Sequence, residues 1–261
     1  MEYFVVGVTA FFASGLTLYS GFGLGTVLLP AFALFFPVPT AVAATGAVHL
    51  LNNLFKGSLV GRGADWRVIL RFGVPAIPAA MLGAWTLARL DATRAGYAWQ
   101  ALGRTFHPSA AGFLIGALMI VFALLELQPW FQRLAAPARL MPVGGLLTGF
   151  LGGLSGQQGA LRSMFLLKSG LDPARYIATG VMIAILIDLA RLPTYWASFG
   201  AVQLTGKREL TLVAVGALSA VVGAWLGARY ARKATIRTVR ALVAALMLAI
   251  GVGLITGVLG A

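Results

Sequence analysis

Eight apolar runs, at about 4–36, 40–60, 68–88, 108–127, 142–168, 174–199, 210–228 and 238–259, take up most of this chain and leave only short linkers between them. Hydrocarbon holds no water, so backbone that crosses a bilayer must pair its own N–H and C=O groups, which leaves helices and closed barrels. A helix needs ~20 apolar residues to cross, whereas barrel strands are shorter and alternate in polarity. These runs are long and do not alternate, so the chain reads as an all-α polytopic membrane protein. Composition agrees: 10% of residues are charged and 59% apolar, with mean hydropathy +0.90, against ~25% charged in a soluble domain. The short linkers leave no room for a separate extramembrane domain.

The two halves repeat each other. Ser20-Gly21-Phe22-Gly23-Leu24-Gly25, Ala44-Thr45-Gly46 and Gly83-Ala84-Trp85 return in the same order as Ser155-Gly156-Gln157-Gln158-Gly159, Ala178-Thr179-Gly180 and Gly223-Ala224-Trp225, with offsets of 135, 134 and 140 residues. The expected organisation is a first repeat over 1–127, a connecting loop over 128–141 and a second repeat over 142–261. Interrupted apolar segments at matching places in two halves point to a transporter and to its binding site.

The first run has 33 residues and would reach ~50 Å as one helix, well beyond the ~30 Å hydrocarbon core. Gly21, Gly23 and Gly25 sit in its middle, and each weakens a helix by ~1 kcal/mol relative to Ala. The run at 142–168 carries a similar glycine series. Each run is therefore either one kinked span or a re-entrant hairpin. Loop charge bears on the choice. If all eight runs cross, Lys and Arg divide ten against eight; if the first and fifth are hairpins, they divide thirteen against five. The second split follows the positive-inside rule. It leaves three spans per half, an odd number that inverts the second repeat, and puts both termini outside the cytoplasm.

Polar residues inside the runs are the candidates for function, because ionisable groups at membrane depth normally face a cavity or a partner. At the two tips, freed N–H groups and positive dipole ends suit an anion, with Gly21, Gly23, Gly25, Thr26, Ser155, Gln157, Gln158 and Gly159 as lining; the alternative for the glycines is close helix packing. Arg162 either meets the ligand or snorkels toward Lys168. Asp188 and Arg191 are three apart and share a helix face, as an ion pair or as proton carrier and substrate receptor. His49, Asn52 and Asn53 form a polar face on the second run. Thr45 and Thr179 would face each other across a pseudo-twofold axis, lining the site or bonding their own helices.

Other classes fall away. With no Cys and two distant His, no Cys-based or clustered metal site is expected. No cofactor is expected, nor any nucleophile–base constellation or phosphate loop, so the chain is not read as an enzyme. The +13 formal charge lies in short loops, where it meets lipid head groups rather than nucleic acid. The start, Met1-Glu2-Tyr3, lacks the basic stretch of a cleaved signal peptide.

Ser20–Pro30 (SGFGLGTVLLP), Ala43-Ala44-Thr45-Gly46 and Asp65-Trp66, with the second half's GFLGGLSGQQG and Ala178-Thr179-Gly180, resemble the TauE/SafE sulfite-exporter family over nearly the whole chain. The resemblance implies a carrier of sulfite, organosulfonates and similar small anions in the bacterial inner membrane. Gln157-Gln158 replace part of a fuller glycine run and suit a substrate that takes amide donors. The alternatives are an anion channel and a membrane-embedded lipid enzyme. Partners are a small anionic substrate and membrane lipid, and the glycine-rich helices are compatible with a homodimer.

Overall fold

The computed structural model describes residues 1–20, 24–91, 96–101, 103–199, 206–230 and 236–259. Eleven α-helices run through these residues: α1 Glu2–Ser20, α2 Leu24–Ala33, α3 Val38–Val60, α4 Trp66–Asp91, α5 Ala110–Leu127, the short α6 Pro129–Gln132, α7 Met141–Ser155, α8 Gly159–Leu166, α9 Pro173–Phe199, α10 Lys207–Tyr230 and α11 Ile236–Ile255. Four of them, α4, α5, α9 and α10, are long and apolar enough to cross a membrane. The chain is a multi-pass membrane protein. Helix α3 has the length, at 23 residues, but His49, Asn52, Asn53 and Lys56 are buried along it.

Capping residues set several helix starts. Asp65 Oδ1 accepts from the N–H groups of Arg67 and Val68 at α4. Asp172 accepts from Ala174 and Arg175 at α9, and Ser109 accepts from Gly112 at α5. Each takes up donors that a first helical turn leaves without partners. The linker over 89–107 holds a small antiparallel pair, β1 (Trp99–Ala101) and β2 (Arg104–Phe106), which the all-helical reading did not include. Trp99 stacks on Phe106 at 4.7 Å between ring centroids. Trp99 also donates to Thr256 O and Tyr97 to Ile255 O, so this hairpin takes up carbonyls left at the end of α11.

The chain turns back at both glycine breaks. Gly144, near the start of α7, abuts the ring of Phe165, near the end of α8. Ala136 N–H, just before α7, bonds Met164 O at 3.0 Å. In the first half, Arg208 pairs with Glu2 at the start of α1 and lies 5.2 Å over the ring of Phe36, just past α2. A kinked continuous span would hold these points far apart, so each long run is a helical hairpin. The other ends follow. Arg175 pairs with Asp65 at 2.9 Å, which joins the starts of α9 and α4. Arg62, Arg67, Arg71, Arg133, Arg139, Lys168 and Arg175 gather at that end. The opposite end holds Arg89, Arg104, Lys207 and Arg208.

Packing crosses between the halves. Helix α4 lies along α7, and α10 lies along α1, while α3 meets α9 and α5 meets α11. This pattern is unchanged when α1, α3, α4 and α5 are exchanged for α7, α9, α10 and α11. Small residues make the close crossings possible, since lipid supplies no hydrophobic drive between helices. Gly145, Gly149 and Gly153 of α7 sit directly on the backbone of Phe72, Ala76 and Ala80 of α4, and Gly15 of α1 sits on Gly223 and Gly227 of α10.

Candidate functional site: the meeting point of the two breaks

The two breaks touch. A Cβ on Gly25, in the first turn of α2, would lie 2.8 Å from the carbonyl oxygen of Gly156, the residue that ends α7. Gly156 has φ +76°, a left-handed conformation that glycine adopts at little cost. Beyond it, Gln157 and Gln158 lead into α8 at Gly159. Thr26, Ser155, Gln157 and Gln158 are all buried.

Asp188 of α9 is the hub and is fully buried. It accepts from His49 Nδ1 at 2.6 Å, Arg191 Nε at 2.9 Å and Gln158 Nε2 at 3.2 Å. Arg191 Nη2 lies 2.8 Å from the same Oδ1 without hydrogen-bond geometry. A donor at Nδ1 leaves Nε2 of a neutral imidazole as acceptor, and Asn53 Nδ2 lies 3.3 Å from it. Asn53 also donates to His49 O at 2.9 Å. Three parts of the chain, α3, the segment leading into α8 and α9, are tied through one carboxylate.

Arg191 and Tyr195 also settle the electrostatics of the second tip. Arg191 Nη1 donates to Gly152 O at 2.9 Å, and Tyr195 donates to Gly153 O. These carbonyls belong to the last turn of α7, its negative end. Covering them leaves the N-terminus of α8, with its free N–H groups, as the uncancelled pole at the tip. Around that pole, Thr45 Oγ1, both amide atoms of Gln157 and Arg191 Nη2 are buried without a hydrogen-bond partner among the described residues. An unpaired buried polar group costs ~1–3 kcal/mol, and a cluster of them makes this contact a candidate place for bound water, an ion or a polar ligand.

The remaining sequence candidates divide. Arg162 Nη1 donates to Gln158 Oε1 at 3.3 Å, so it reaches toward the tip rather than toward Lys168. Ser155 Oγ bonds its own backbone, at Leu151 O. Asn52 turns to Ser14 of α1, not to Asp188. Thr45 and Thr179 do not face each other. Because α3 and α9 run in opposite directions, equal depth from each start puts them near opposite ends, and Thr179 Oγ1 accepts from Asp65 N–H at 2.9 Å beside the basic end. Gly21 and Gly23 lie outside the described residues. Two buried polar residues, Tyr195 and Lys56, were not among the sequence candidates. Tyr195 follows Arg191 by one helical turn, and Lys56 follows His49 by seven residues on the same face; that spacing was the available signal.

Gly25→Ala tests the contact between the tips. The added methyl meets a backbone oxygen that no rotamer change can move, so the hairpins must separate. The expected result is a folded protein destabilised by ~1–3 kcal/mol, with ligand affinity reduced about 100-fold by misplacement of the site. Thermal unfolding and a binding titration on the same sample measure both. Unchanged binding would rule out a site at this contact.

Among models of protein families, the one described as Sulfite exporter TauE/SafE matches residues 3–254 of the chain. No curated protein and no solved structure matches.

Proposed function

The chain belongs to the TauE/SafE sulfite exporter family, and on that premise we propose that it is a secondary transporter that exports small sulfur-containing or organic anions, such as sulfite or an organosulfonate, across the bacterial inner membrane. The observation that carries this reading is the convergence of the unpartnered Thr45 and Gln157 groups, beside the Asp188-paired Arg191, on the place where the hairpins meet. Gly25, Thr26, Thr45, Gln157, Gln158, Gly159 and Arg191 contact the anion in this reading, and the Asp188–His49 pair carries a coupling proton. The repeats, 1–127 and 142–261, are inverted about an axis in the membrane plane. The exchange-symmetric packing supports this, and inverted repeats are a common transporter architecture. The basic end faces the cytoplasm, as the positive-inside rule requires, and both chain ends face away from it. Alternating access then comes from rocking the hairpins with α3 and α9 about the fixed contact. An inside-negative potential favours anion exit by ~2.3 kcal/mol per charge per 100 mV.

The test uses purified protein with sulfite, sulfate, thiosulfate, sulfoacetate and taurine. A ligand that binds only the folded state raises the melting temperature in a concentration-dependent way. Saturable stabilisation and saturable counterflow in proteoliposomes are expected for at least one of the anions. Gln157→Leu should abolish both while raising the ligand-free stability by ~1–3 kcal/mol, because an unpaired buried amide is removed. Flux without saturation would replace the carrier by a channel. Stabilisation by none of these compounds would end the anion reading.

A further inference from the structure

Three interior cations are linked to Asp188, directly or through one another. Asp188 engages Arg191 directly. Arg162 is within electrostatic reach of Asp188, and Lys56 is within reach of Arg162. Lys56 is 8% exposed, and Arg162 is half-buried. Neither cation turns to the basic end of the molecule, as a snorkelling side chain would. Arg162 reaches back to Gln158 at the tip. The Asn52 amide satisfies its neighbours when its oxygen accepts from Lys56 Nζ at 3.0 Å and its nitrogen donates to Ser14 Oγ at 2.9 Å and Ala220 O at 3.3 Å. Asn52 lies one turn deeper than Lys56, so the ammonium also points inward. Arg162 lies against Gly180, and Gly57, next to Lys56, packs on Val181 and Met182, so these two inward-turned cations from opposite halves approach the same stretch of α9, and neither has an ion-pair partner among the described residues.

We infer that Lys56 and Arg162 form a second anion subsite on the basic side of the Asp188–Arg191 pair, which takes the second negative charge of a small divalent anion. Charge balance supports the assignment. With His49 neutral, the group of Lys56, Arg162, Arg191 and Asp188 sets three cations against one carboxylate, a surplus of two positive charges; Glu126, the other buried carboxylate, lies on α5. A buried ion without a counter-ion is strongly disfavoured, and a dianion neutralises both charges where a monoanion leaves one. Because Arg162 stays partly accessible, an entering anionic group can reach it. The inference rests on the anion reading of the hairpin contact and extends it to Lys56, which that reading does not use.

Ethanesulfonate and ethane-1,2-disulfonate test it, since they share a carbon skeleton and a sulfonate and differ in charge. Titrated into the purified protein at constant ionic strength, the disulfonate should bind about tenfold or more tightly, the increment of a charged hydrogen-bonding contact. Lys56→Met should collapse that ratio to about threefold or less. It should also raise the ligand-free melting temperature, because an uncompensated charge is removed; a Lys56 that merely braces Asn52 would lower it. Arg162→Met should narrow the ratio in the same way. Equal affinities in the unmodified protein, or a ratio unmoved by Lys56→Met, would overturn the subsite while leaving ethanesulfonate binding in support of the hairpin contact. Binding of neither sulfonate would overturn both.

Discussion

Arg191→Leu should cost about 3–5 kcal/mol of stability, the penalty for stranding a buried carboxylate, and should abolish transport. Asp188 and Arg191 are both fully buried, so water cannot replace the lost guanidinium. The substitution also removes the donor to Gly152 O and loosens the end of α7 at the tip. The companion Asp188→Leu should be similarly harmful, because it leaves Arg191 charged in the same place. The double variant should be more stable than the sum of its parts, since both charges go together. A double-mutant cycle on thermal unfolding measures the coupling, and proteoliposome flux measures function. Stability recovered without flux would separate the structural part of the pair from its part in transport. Additive losses would mean that the two side chains do not act as a pair.

Gly149→Leu and Gly153→Leu should prevent assembly of the fold. An added Cβ would fall on the carbonyl oxygens of Ala76 and Ala80, in the backbone of α4. Overpacking a core that can shift side chains costs ~1–3 kcal/mol; here two helices must move apart along their whole crossing. The expected outcome is loss of monodisperse protein after extraction. Gly223→Leu, which meets the backbone of Phe11, should do the same at the counterpart crossing of α10 with α1. Gly63→Ala is the control, since its nearest neighbour lies 3.9 Å away, in ordinary contact, and it should change stability by less than ~1 kcal/mol. Size-exclusion profiles distinguish these outcomes. A well-behaved Gly153→Leu protein would mean that α4 and α7 do not cross as closely as described.

Much of this protein was legible in the chain because the governing constraints are local. A bilayer obliges backbone to close its own hydrogen bonds, so the apolar runs had to be helices. Glycine clusters had to weaken those helices where they occur, and α1–α2 and α7–α8 part at those places. Asp188 and Arg191 are three residues apart, so their pairing followed from helix geometry alone. Charge counting could favour hairpins over kinked spans, because loop charge responds to which end each loop occupies. The contacts of Arg208 with Glu2 and Phe36, and of Gly144 with Phe165, are what resolve it.

Tertiary structure decided the rest, because it concerns groups far apart along the chain. His49 and Asp188 are separated by 139 residues, and no spacing rule joins them. Thr45 and Thr179 repeat in sequence, yet antiparallel α3 and α9 carry them to different surroundings. Lys56 is four residues from the end of its helix. In sequence it is indistinguishable from a loop cation, since the chain cannot say whether a long side chain turns outward to water or inward to Asn52. What the sequence determined by itself was where helices form, where they break and which ends carry positive charge, all set by backbone hydrogen bonding and local charge. What only the tertiary structure decided was which polar groups share the interior, because burial leaves each of them the partners that packing brings within reach and no others.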